Sequence, residues 1–127
     1  MNSVEYLDLE DLLTLATALL GDPLPVRDLG LLEAAASRPK ASAFGEDAYS
    51  GMWSKAAAML QSILKSHPLV DGNKRLGWLA TAVFLDLNGF DMSSADNDAV
   101  FEFVMSVAAG DLEVHEIAER LRSLISE

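Results

Sequence analysis

The stretch that decides the fold lies near the middle of the chain and reads His67-Pro68-Leu69-Val70-Asp71-Gly72-Asn73-Lys74-Arg75. It places an imidazole, a carboxylate, a glycine and two cations between two strongly apolar segments. In the upstream segment, apolar residues recur with helical spacing from Trp53 to Leu64. Pro68 disfavours helical geometry at the residue before it, so this helix is predicted to end at Ser66 or His67. The imidazole is therefore expected at a break in the chain.

A second helix is predicted to run from residue 74 to residue 86 or 87, after a turn at Gly72 and with Asp71 or Asn73 as its cap. The start of a helix presents unpaired N–H groups and a partial positive charge, which suit a phosphate. Lys74 and Arg75 fall in the first turn, where cations oppose the helix dipole unless an anion binds there. A polar loop that merely collects charge is the alternative, but this placement of cations favours a phosphate site.

The composition describes one globular domain over residues 1–127. The chain has 127 residues, of which 50% are hydrophobic, and it contains no cysteine. This length allows a sizeable core, while disulfides, thiol catalysis and thiolate metal sites are excluded. The N-terminal residues do not resemble a secretory signal, and no apolar stretch approaches the roughly 20 residues of a membrane span. A cytoplasmic protein without a membrane segment is predicted.

The charge of the chain indicates the kind of ligand. A net charge of −11 argues against direct binding to a nucleic acid. Against this background Lys65, Lys74 and Arg75 provide three of the nine basic residues close to His67 in the sequence. A local positive site in an acidic protein favours a small anion over a long polyanion, and a nucleotide is the natural candidate.

The rest of the chain is predicted to be helical. Helices are expected after caps at Asp8, at Asp28 and at Asp96 or Asn97, and a last helix after residue 113. Residues 40–50 are predicted to form a surface loop, and Gly89 is expected to end the helix that starts near Lys74. That helix has little polar surface, so the predicted fold is all-α, a compact single-domain helical bundle around a buried central helix at residues 74–87.

The residues from His67 to Arg75 resemble the signature of the Fic/Doc superfamily. The ending Asn73-Lys74-Arg75 resembles the death-on-curing (Doc) branch, because the Fic branch has glycine at the position of Lys74 and a second arginine where this chain has Trp78. The similarity extends over most of the chain, from Val26 to Leu121. There are two departures: Leu69 replaces the usual phenylalanine, which predicts a repacked core position, and Leu76 replaces a commonly small or polar residue.

The resemblance implies a role for each residue of the motif. His67 is expected to be the general base that accepts the proton of an attacking hydroxyl, and Asp71 to hold Mg²⁺. Main-chain N–H groups of Gly72, Asn73 and Lys74 are expected to form an anion hole, which the Asn73 side chain helps to shape. Further phosphate contacts are expected from Arg75 and Lys74, and Lys65 either reaches the same phosphates or is a solvated surface lysine. The other histidine, His115, is expected at the surface.

The reaction implied by the Doc branch is transfer of the γ-phosphoryl group of Mg-ATP to a protein hydroxyl. By family resemblance, the target is a threonine of elongation factor Tu and the protein is a toxin of a type II toxin-antitoxin system that arrests translation. The Fic branch implies the first alternative, transfer of AMP. A non-catalytic helical module that binds nucleotide or a partner is the second alternative.

A toxin of this kind needs an inhibitor. Members of the superfamily are silenced by a helix with the pattern Ser/Thr-x-x-x-Glu-Gly/Asn, which is internal or belongs to an antitoxin. Residues 42–47 match half of this pattern, but they contain Gly45 and are predicted to be loop. The expected inhibitor is therefore a separate antitoxin with a helical inhibitory segment.

Overall fold

The computed structural model describes residues 3–125, which form six α-helices and one short hairpin. The helices are α1 (Leu9–Leu20), α2 (Leu29–Ser37), α3 (Met52–Ser66), α4 (Asn73–Leu87), α5 (Asn97–Ala108) and α6 (Val114–Ser123). A 3₁₀ turn, Arg38–Lys40, follows α2, and the hairpin strands are β1 (Ser42–Ala43) and β2 (Glu46–Asp47). The predicted all-α bundle is confirmed. None of the helices in this part of the chain is long and apolar enough to cross a membrane.

Three of the helices begin at an aspartate that accepts a hydrogen bond from a main-chain N–H group in the first turn. The bonds join Asp8 to Asp11 at 2.8 Å, Asp28 to Leu31 at 3.1 Å and Asp96 to Ala99 at 3.0 Å. Each carboxylate satisfies a donor that the helix itself leaves unpaired and lies at the positive end of the dipole. These caps were predicted, and Asp96 rather than Asn97 is the cap of α5.

The most deeply buried helix is α3, which packs against α2, α4, α5 and α6. Even Lys55 and Gln61 of α3 are buried, and the Gln61 amide donates to the Leu112 carbonyl at 3.0 Å. In contrast, α4 packs against α1, α3 and α5 and leaves Asp86 and Leu87 exposed. The predicted buried central helix is present, but it is α3 rather than residues 74–87, because polar residues of α3 find partners inside the protein.

Residues 40–50 are exposed as predicted, but they are more ordered than a loop. The strands β1 and β2 pair antiparallel, and the ammonium group of Lys55 contacts the Asp47 carboxylate at 3.0 Å and the Pro39 carbonyl at 3.4 Å. A buried lysine of α3 thus holds the hairpin to the bundle. Because residues 42–47 form a hairpin, they are not an internal inhibitory helix.

The two helices that flank the motif pack closely because α4 carries a glycine at their contact. A Cβ atom on Gly77 would lie 3.0 Å from Leu60 of α3. Real Cβ contacts are rarely so short, so a larger residue at this position would require the Leu60 side chain to move by a few tenths of an ångström. The close contact joins the helix that ends before His67 to the helix that follows the motif.

Candidate active site

The histidine of the motif lies at the end of the most buried helix. Helix α3 ends at Ser66, and His67 is its C-cap, with a left-handed main chain at φ 52° and ψ 63°. The His67 N–H group still donates to the Ile63 carbonyl at 3.2 Å. Its side chain is exposed. The predicted end of this helix is confirmed. The imidazole projects from the residue at which the main chain changes direction after α3.

The segment around Arg27 forms hydrogen bonds to this turn. The Arg27 guanidinium donates through Nε to the His67 carbonyl at 2.7 Å and through Nη2 to the Ser66 carbonyl at 2.5 Å. The Arg27 N–H group also donates to the Pro68 carbonyl at 2.8 Å, and the Val70 N–H group donates to the Pro25 carbonyl at 2.7 Å. Arg27 therefore satisfies carbonyl groups that the end of α3 leaves unpaired. No pattern in the sequence marks Arg27 as part of the site.

The loop between His67 and α4 is closed by an asparagine. The Asn73 side chain accepts from the Leu69 N–H group at 3.0 Å and donates to the Leu69 carbonyl at 2.9 Å. Both residues are buried, so the interpretation of Leu69 as a core position is confirmed. The Asn73 amide is thereby engaged with the main chain of the loop and holds residues 69–73 in place.

Gly72 makes the turn into α4 in a place where another residue would not fit. Its main chain is left-handed, with φ at 88°. A Cβ atom there would lie 2.8 Å from the side chain of Leu20 in α1. Torsion and space both favour glycine, so the end of α1 packs directly against the turn that starts the site.

The start of α4 has no side-chain cap, which contradicts the prediction that Asp71 or Asn73 would supply one. Asp71 instead accepts through Oδ1 from the adjacent Gly72 N–H group at 2.9 Å, and the Asn73 amide is turned toward Leu69. The first helical hydrogen bond runs from the Leu76 N–H group to the Gly72 carbonyl. Within residues 3–125, the N–H groups of Asn73, Lys74 and Arg75 have no hydrogen-bond partner. They are free to bind an anion. The Gly72 N–H group, which was expected to belong to the anion hole, instead donates to Asp71, and the N–H group of Arg75 is free in its place.

These residues line a single cleft of about 350 Å³. Its lining includes His67, Asp71, Gly72, Asn73, Lys74 and Arg75, together with Leu64, Val70 and Ala108. Lys74 and Arg75 are exposed and form no ion pair within residues 3–125. Six of the seven predicted site residues thus share one cleft, whereas the exposed Lys65 does not line it. The cleft combines a base, a carboxylate, unpaired N–H groups and two cations.

The carboxylate of Asp71 is compatible with a magnesium ion that is bound together with a nucleotide. The side chain is exposed, and Oδ1 accepts the Gly72 N–H group within its own turn. The described residues contain no group of three or more acidic, histidine or cysteine side chains arranged to hold a metal ion. Mg²⁺ commonly binds through one or two carboxylates together with phosphate oxygens and water, and this site offers the single carboxylate.

Trp78 and Leu76, two residues that distinguish this chain within the motif region, both lie away from the cleft. Trp78 packs edge-on against Phe103 at 6.3 Å between ring centroids and does not line the cleft. Leu76 is fully buried in the core. Leu76 therefore has a packing role, which its place in the motif did not predict.

Comparison with known proteins places the chain in a family. The Fic/DOC family model matches residues 6–85. The chain belongs to this family. It is also 47% identical over 118 residues to the protein named Toxin Doc of Mycolicibacterium smegmatis (strain ATCC 700084 / mc(2)155), a match that covers 92% of this chain and 91% of the relative. The assignment to the death-on-curing branch, made from residues 67–75, is confirmed.

Proposed function

We propose that this protein is a Doc-like toxin that transfers the γ-phosphoryl group of Mg-ATP to a protein hydroxyl, namely a threonine of elongation factor Tu, and thereby arrests translation. The observation that carries the proposal is the shared cleft. An exposed imidazole on the end of α3 faces the same space as the uncapped start of α4 with its two unpaired cations. The relative named Toxin Doc supports the toxin assignment.

In the proposed reaction, His67 accepts the proton of the attacking hydroxyl. The hydroxyl oxygen forms a bond to the γ-phosphorus, and the bond between that phosphorus and the bridging oxygen of ADP breaks. The bonding electrons leave with ADP, and the proton remains on the imidazole until solvent removes it. An imidazole suits this step because it titrates near neutral pH.

The first turn of α4 binds the phosphates. The N–H groups of Asn73, Lys74 and Arg75 stabilise negative charge, the Arg75 guanidinium can contact two phosphate oxygens, and Lys74 adds a point charge. When bound, Mg²⁺ at Asp71 would neutralise charge on the phosphate oxygens. The protein therefore contributes mainly through positioning and charge, as is typical of phosphoryl transfer.

Two residues favour γ-phosphoryl transfer over transfer of AMP. The side chain of Lys74 lines the cleft, where the Fic branch has glycine, and it occupies space in the place where that branch holds the outer phosphates. Trp78 stands where the Fic branch has its second arginine, and its indole packs against Phe103 outside the cleft. Lys74 thus fills space, and Trp78 leaves out a cation, that the Fic branch uses to hold the β- and γ-phosphates in the AMP-transfer orientation.

The experiment that tests the reaction combines the purified protein, elongation factor Tu and Mg-ATP labelled with distinct isotopes in the α- and γ-phosphates. The expected result is a mass increase of the target by one phosphate that carries the γ label. An increase by AMP with the α label would establish the Fic-type reaction instead. No modification of this target or of any protein in a bacterial lysate would favour the non-catalytic module.

Replacement of the histidine tests its role. His67→Ala is expected to lower the transfer rate at least about 100-fold, the usual contribution of general base catalysis. His115→Ala is the matched control, because His115 is also exposed but lies in α6 and does not line the cleft. Circular dichroism of both variants checks that they remain folded. Equal rates for His67→Ala and the parent protein would exclude the general-base role.

The proposed toxin requires an antitoxin that restrains it. A relative named as a toxin supports this partner, and residues 42–47 form a hairpin rather than an inhibitory helix of the chain's own. The proposed antitoxin supplies a helical segment that packs against this bundle close to the phosphate cleft. Coexpression of this chain with the antitoxin is expected to abolish transfer to the target, and coexpression without loss of transfer would contradict the pairing.

A further inference from the structure

Val70 gives the cleft an exposed apolar side chain. It is 70% exposed and lines the cleft together with Leu64 and Ala108. Leu64 is only 2% exposed, and Ala108 is half-buried and carries a single methyl group. The other side chains that line the cleft are polar or charged. Within residues 3–125, Val70 is therefore the main apolar surface that a molecule bound in this cleft can contact.

Hydrogen bonds fix the main chain that carries Val70. The Val70 N–H group donates to the Pro25 carbonyl at 2.7 Å. The preceding residue, Leu69, forms an isolated antiparallel bridge with Val26 and bonds through both of its main-chain groups to the Asn73 amide. In an extended segment, successive side chains point to opposite sides. Because the Leu69 side chain is buried in the core, the Val70 side chain is directed outward into the cleft.

The side chain of Val70 is also stiff. Valine branches at Cβ, which leaves it few rotamers. Its two methyl groups therefore form an apolar surface that loses little conformational entropy when a ligand packs against it. A single exposed valine elsewhere would need no explanation. This one lies three residues after His67, the proposed base, and immediately before Asp71, the proposed Mg²⁺ ligand.

The acceptor side chain is the part of the proposed complex that suits this surface. Phosphate oxygens and Mg²⁺ are polar, so contact with a valine does not stabilise them. The acceptor hydroxyl has to reach the His67 imidazole. In threonine a methyl group is bonded to the same carbon as the hydroxyl, so it enters the cleft with that hydroxyl. In serine a hydrogen atom takes the place of this methyl group.

We propose that Val70 is a specificity-determining residue that selects threonine over serine as the acceptor, through contact with the γ-methyl group of threonine. This inference rests on the proposed function, because it takes transfer to a protein hydroxyl as the reaction. The contact removes the methyl group and part of Val70 from water, whereas serine leaves that part of the valine without a partner. Because the contact is made while the hydroxyl attacks, it raises kcat/KM for threonine.

The adenine base of the nucleotide is the other group with an apolar face that could pack against Val70. In γ-phosphoryl transfer, however, two phosphates and the ribose separate the adenine from the reacting phosphorus. His67 and Asp71 mark the place of that phosphorus, so the position of Val70 between them in the sequence favours the acceptor. The two contacts also differ in their effects. Contact with adenine would change KM for ATP, whereas contact with the methyl group changes the preference between the two acceptors.

The test compares the natural protein target with a form in which serine replaces the acceptor threonine located by mass spectrometry. The ratio of kcat/KM for threonine to that for serine is measured for the parent protein, Val70→Ala and Val70→Thr. Val70→Ala removes two methyl groups, and Val70→Thr keeps the shape of the side chain but makes it polar. The parent is expected to prefer threonine. In Val70→Ala this ratio should fall about fourfold, the effect of one buried methyl group, and in Val70→Thr by a smaller factor.

Leu87→Ala is the matched control, because Leu87 is also an exposed aliphatic residue but does not line the cleft. It is expected to keep the parent ratio. A purely structural role of Val70 would lower the rates for both acceptors equally, and circular dichroism checks that each variant is folded. An unchanged ratio in Val70→Ala, or an equal fall in Leu87→Ala, would overturn the proposal. A higher KM for ATP in Val70→Ala with an unchanged ratio would assign the valine to the adenine instead.

The outcome can be separated from that of the proposed reaction. A hydroxyl attacks whichever group is transferred, so the ratio is measurable in both cases. Transfer of AMP with a ratio that depends on Val70 would reject γ-phosphoryl transfer and keep the role of Val70. Transfer of phosphate with a ratio that is independent of Val70 would reject this role alone. Absence of transfer to either acceptor would reject both.

Discussion

At the scale of single residues, the position of the His67 side chain depends on the main-chain conformation of His67 as well as on α3, the helix before it. A left-handed conformation of an L-residue costs about 1–2 kcal/mol, and His67 adopts it at φ 52°. The two hydrogen bonds from the Arg27 guanidinium, together with the main-chain bonds between residues 25–28 and 68–70, offset this cost. The direction in which the imidazole leaves α3 therefore depends on a residue that does not touch the imidazole.

Removal of Arg27 is expected to misplace His67 without unfolding the protein. In Arg27→Ala the Ser66 and His67 carbonyls lose their donor, and displacement of a catalytic group by about 1 Å can lower a rate about 100-fold. We expect the maximal transfer rate to fall at least tenfold by that principle, while ATP binding to α4 changes little. Steady-state kinetics separates the two effects, and exposed Arg120 of α6 provides the control Arg120→Ala. An unchanged rate would show that the turn holds its shape without Arg27.

The motif residues could be predicted from the sequence, but the role of Arg27, which bonds to the turn at His67, could not. His67, Asp71 and the residues that follow form one contiguous stretch, so their chemistry is visible in the order of residue types. Arg27 reaches main-chain carbonyls 39 and 40 residues away, and a carbonyl has no residue-specific signal. The candidate site residues lie next to one another in the sequence, whereas Arg27, which supports the turn at His67, is distant from them.

At the scale of elements, helix starts divide into capped and uncapped ones. Asp8, Asp28 and Asp96 cap their helices, and these caps followed from the usual preference for aspartate at that position. The start of α4 departs from this preference because Gly72 occupies the cap position. The Asp71 side chain accepts from the Gly72 N–H group, and the Asn73 side chain bonds to Leu69. A cap satisfies one first-turn donor and places a carboxylate at the helix start, so α4 is the one helix of these four whose first three N–H groups are all unpaired and not faced by a capping side chain.

The cap of α1 is expected to make stability sensitive to acid. The Asp11 N–H group, which donates to the Asp8 carboxylate, holds the pKa of Asp8 below its usual value in the folded protein. A carboxyl group whose pKa is lower in the folded than in the unfolded protein stabilises the fold at pH values above the pKa of the unfolded state. This contribution is lost as the pH falls through the pKa of the folded state. Asn can also cap a helix but does not titrate.

Urea unfolding of the parent protein and of Asp8→Asn, measured from pH 7 down to pH 2, tests this expectation. The stability of the parent relative to Asp8→Asn should decline once the pH falls below the unfolded pKa of Asp8, which is near 3.8. A difference that is independent of pH would show that protonation of Asp8 does not weaken the cap.

The junction of α1 with α4 is expected to resist any side chain at Gly72. Gly72→Ala imposes a left-handed torsion on alanine and also brings its Cβ to 2.8 Å from Leu20. Gly89→Ala is a matched control, because Gly89 has φ 93° but no atom within 4 Å of its Cβ position. We expect the control to lose about 1 kcal/mol of unfolding free energy and Gly72→Ala to lose about 2–4 kcal/mol. Equal losses would mean that Leu20 moves aside at no cost.

At the scale of the whole molecule, the protein is organised around α3. The small polar surface of α4 predicted it as the centre, but α3 is more buried although it carries Lys55 and Gln61. The partners of these two side chains, Asp47 and the Leu112 carbonyl, lie on a hairpin and on the turn before α6. Apolar periodicity does not reveal such partners, so the number and type of helices could be predicted while their arrangement could not.

The core behind the phosphate cleft is expected to control global stability. Leu76 is fully buried one residue after Arg75, whereas Leu87 on the same helix is 51% exposed. Leu76→Ala should lower the free energy of unfolding by about 2–5 kcal/mol, through lost burial and the cavity that remains. Leu87→Ala should lower it by less than about 1 kcal/mol. Chemical denaturation gives both values, and similar losses would contradict the observed packing of α4.

The double hydrogen bond between Asn73 and Leu69 has a consequence for the kinetics of ligand binding. It closes residues 69–73 into a compact ring that carries Asp71 and leads into the free N–H groups of α4. The conformational entropy of this loop is thus lost when the chain folds and not when a nucleotide arrives. The nucleotide of the proposed function should therefore bind in a single step without a slow ordering phase, which stopped-flow binding would show as one exponential. An inhibitor of the proposed site would then have to block access to it, because the loop is already ordered in the folded protein.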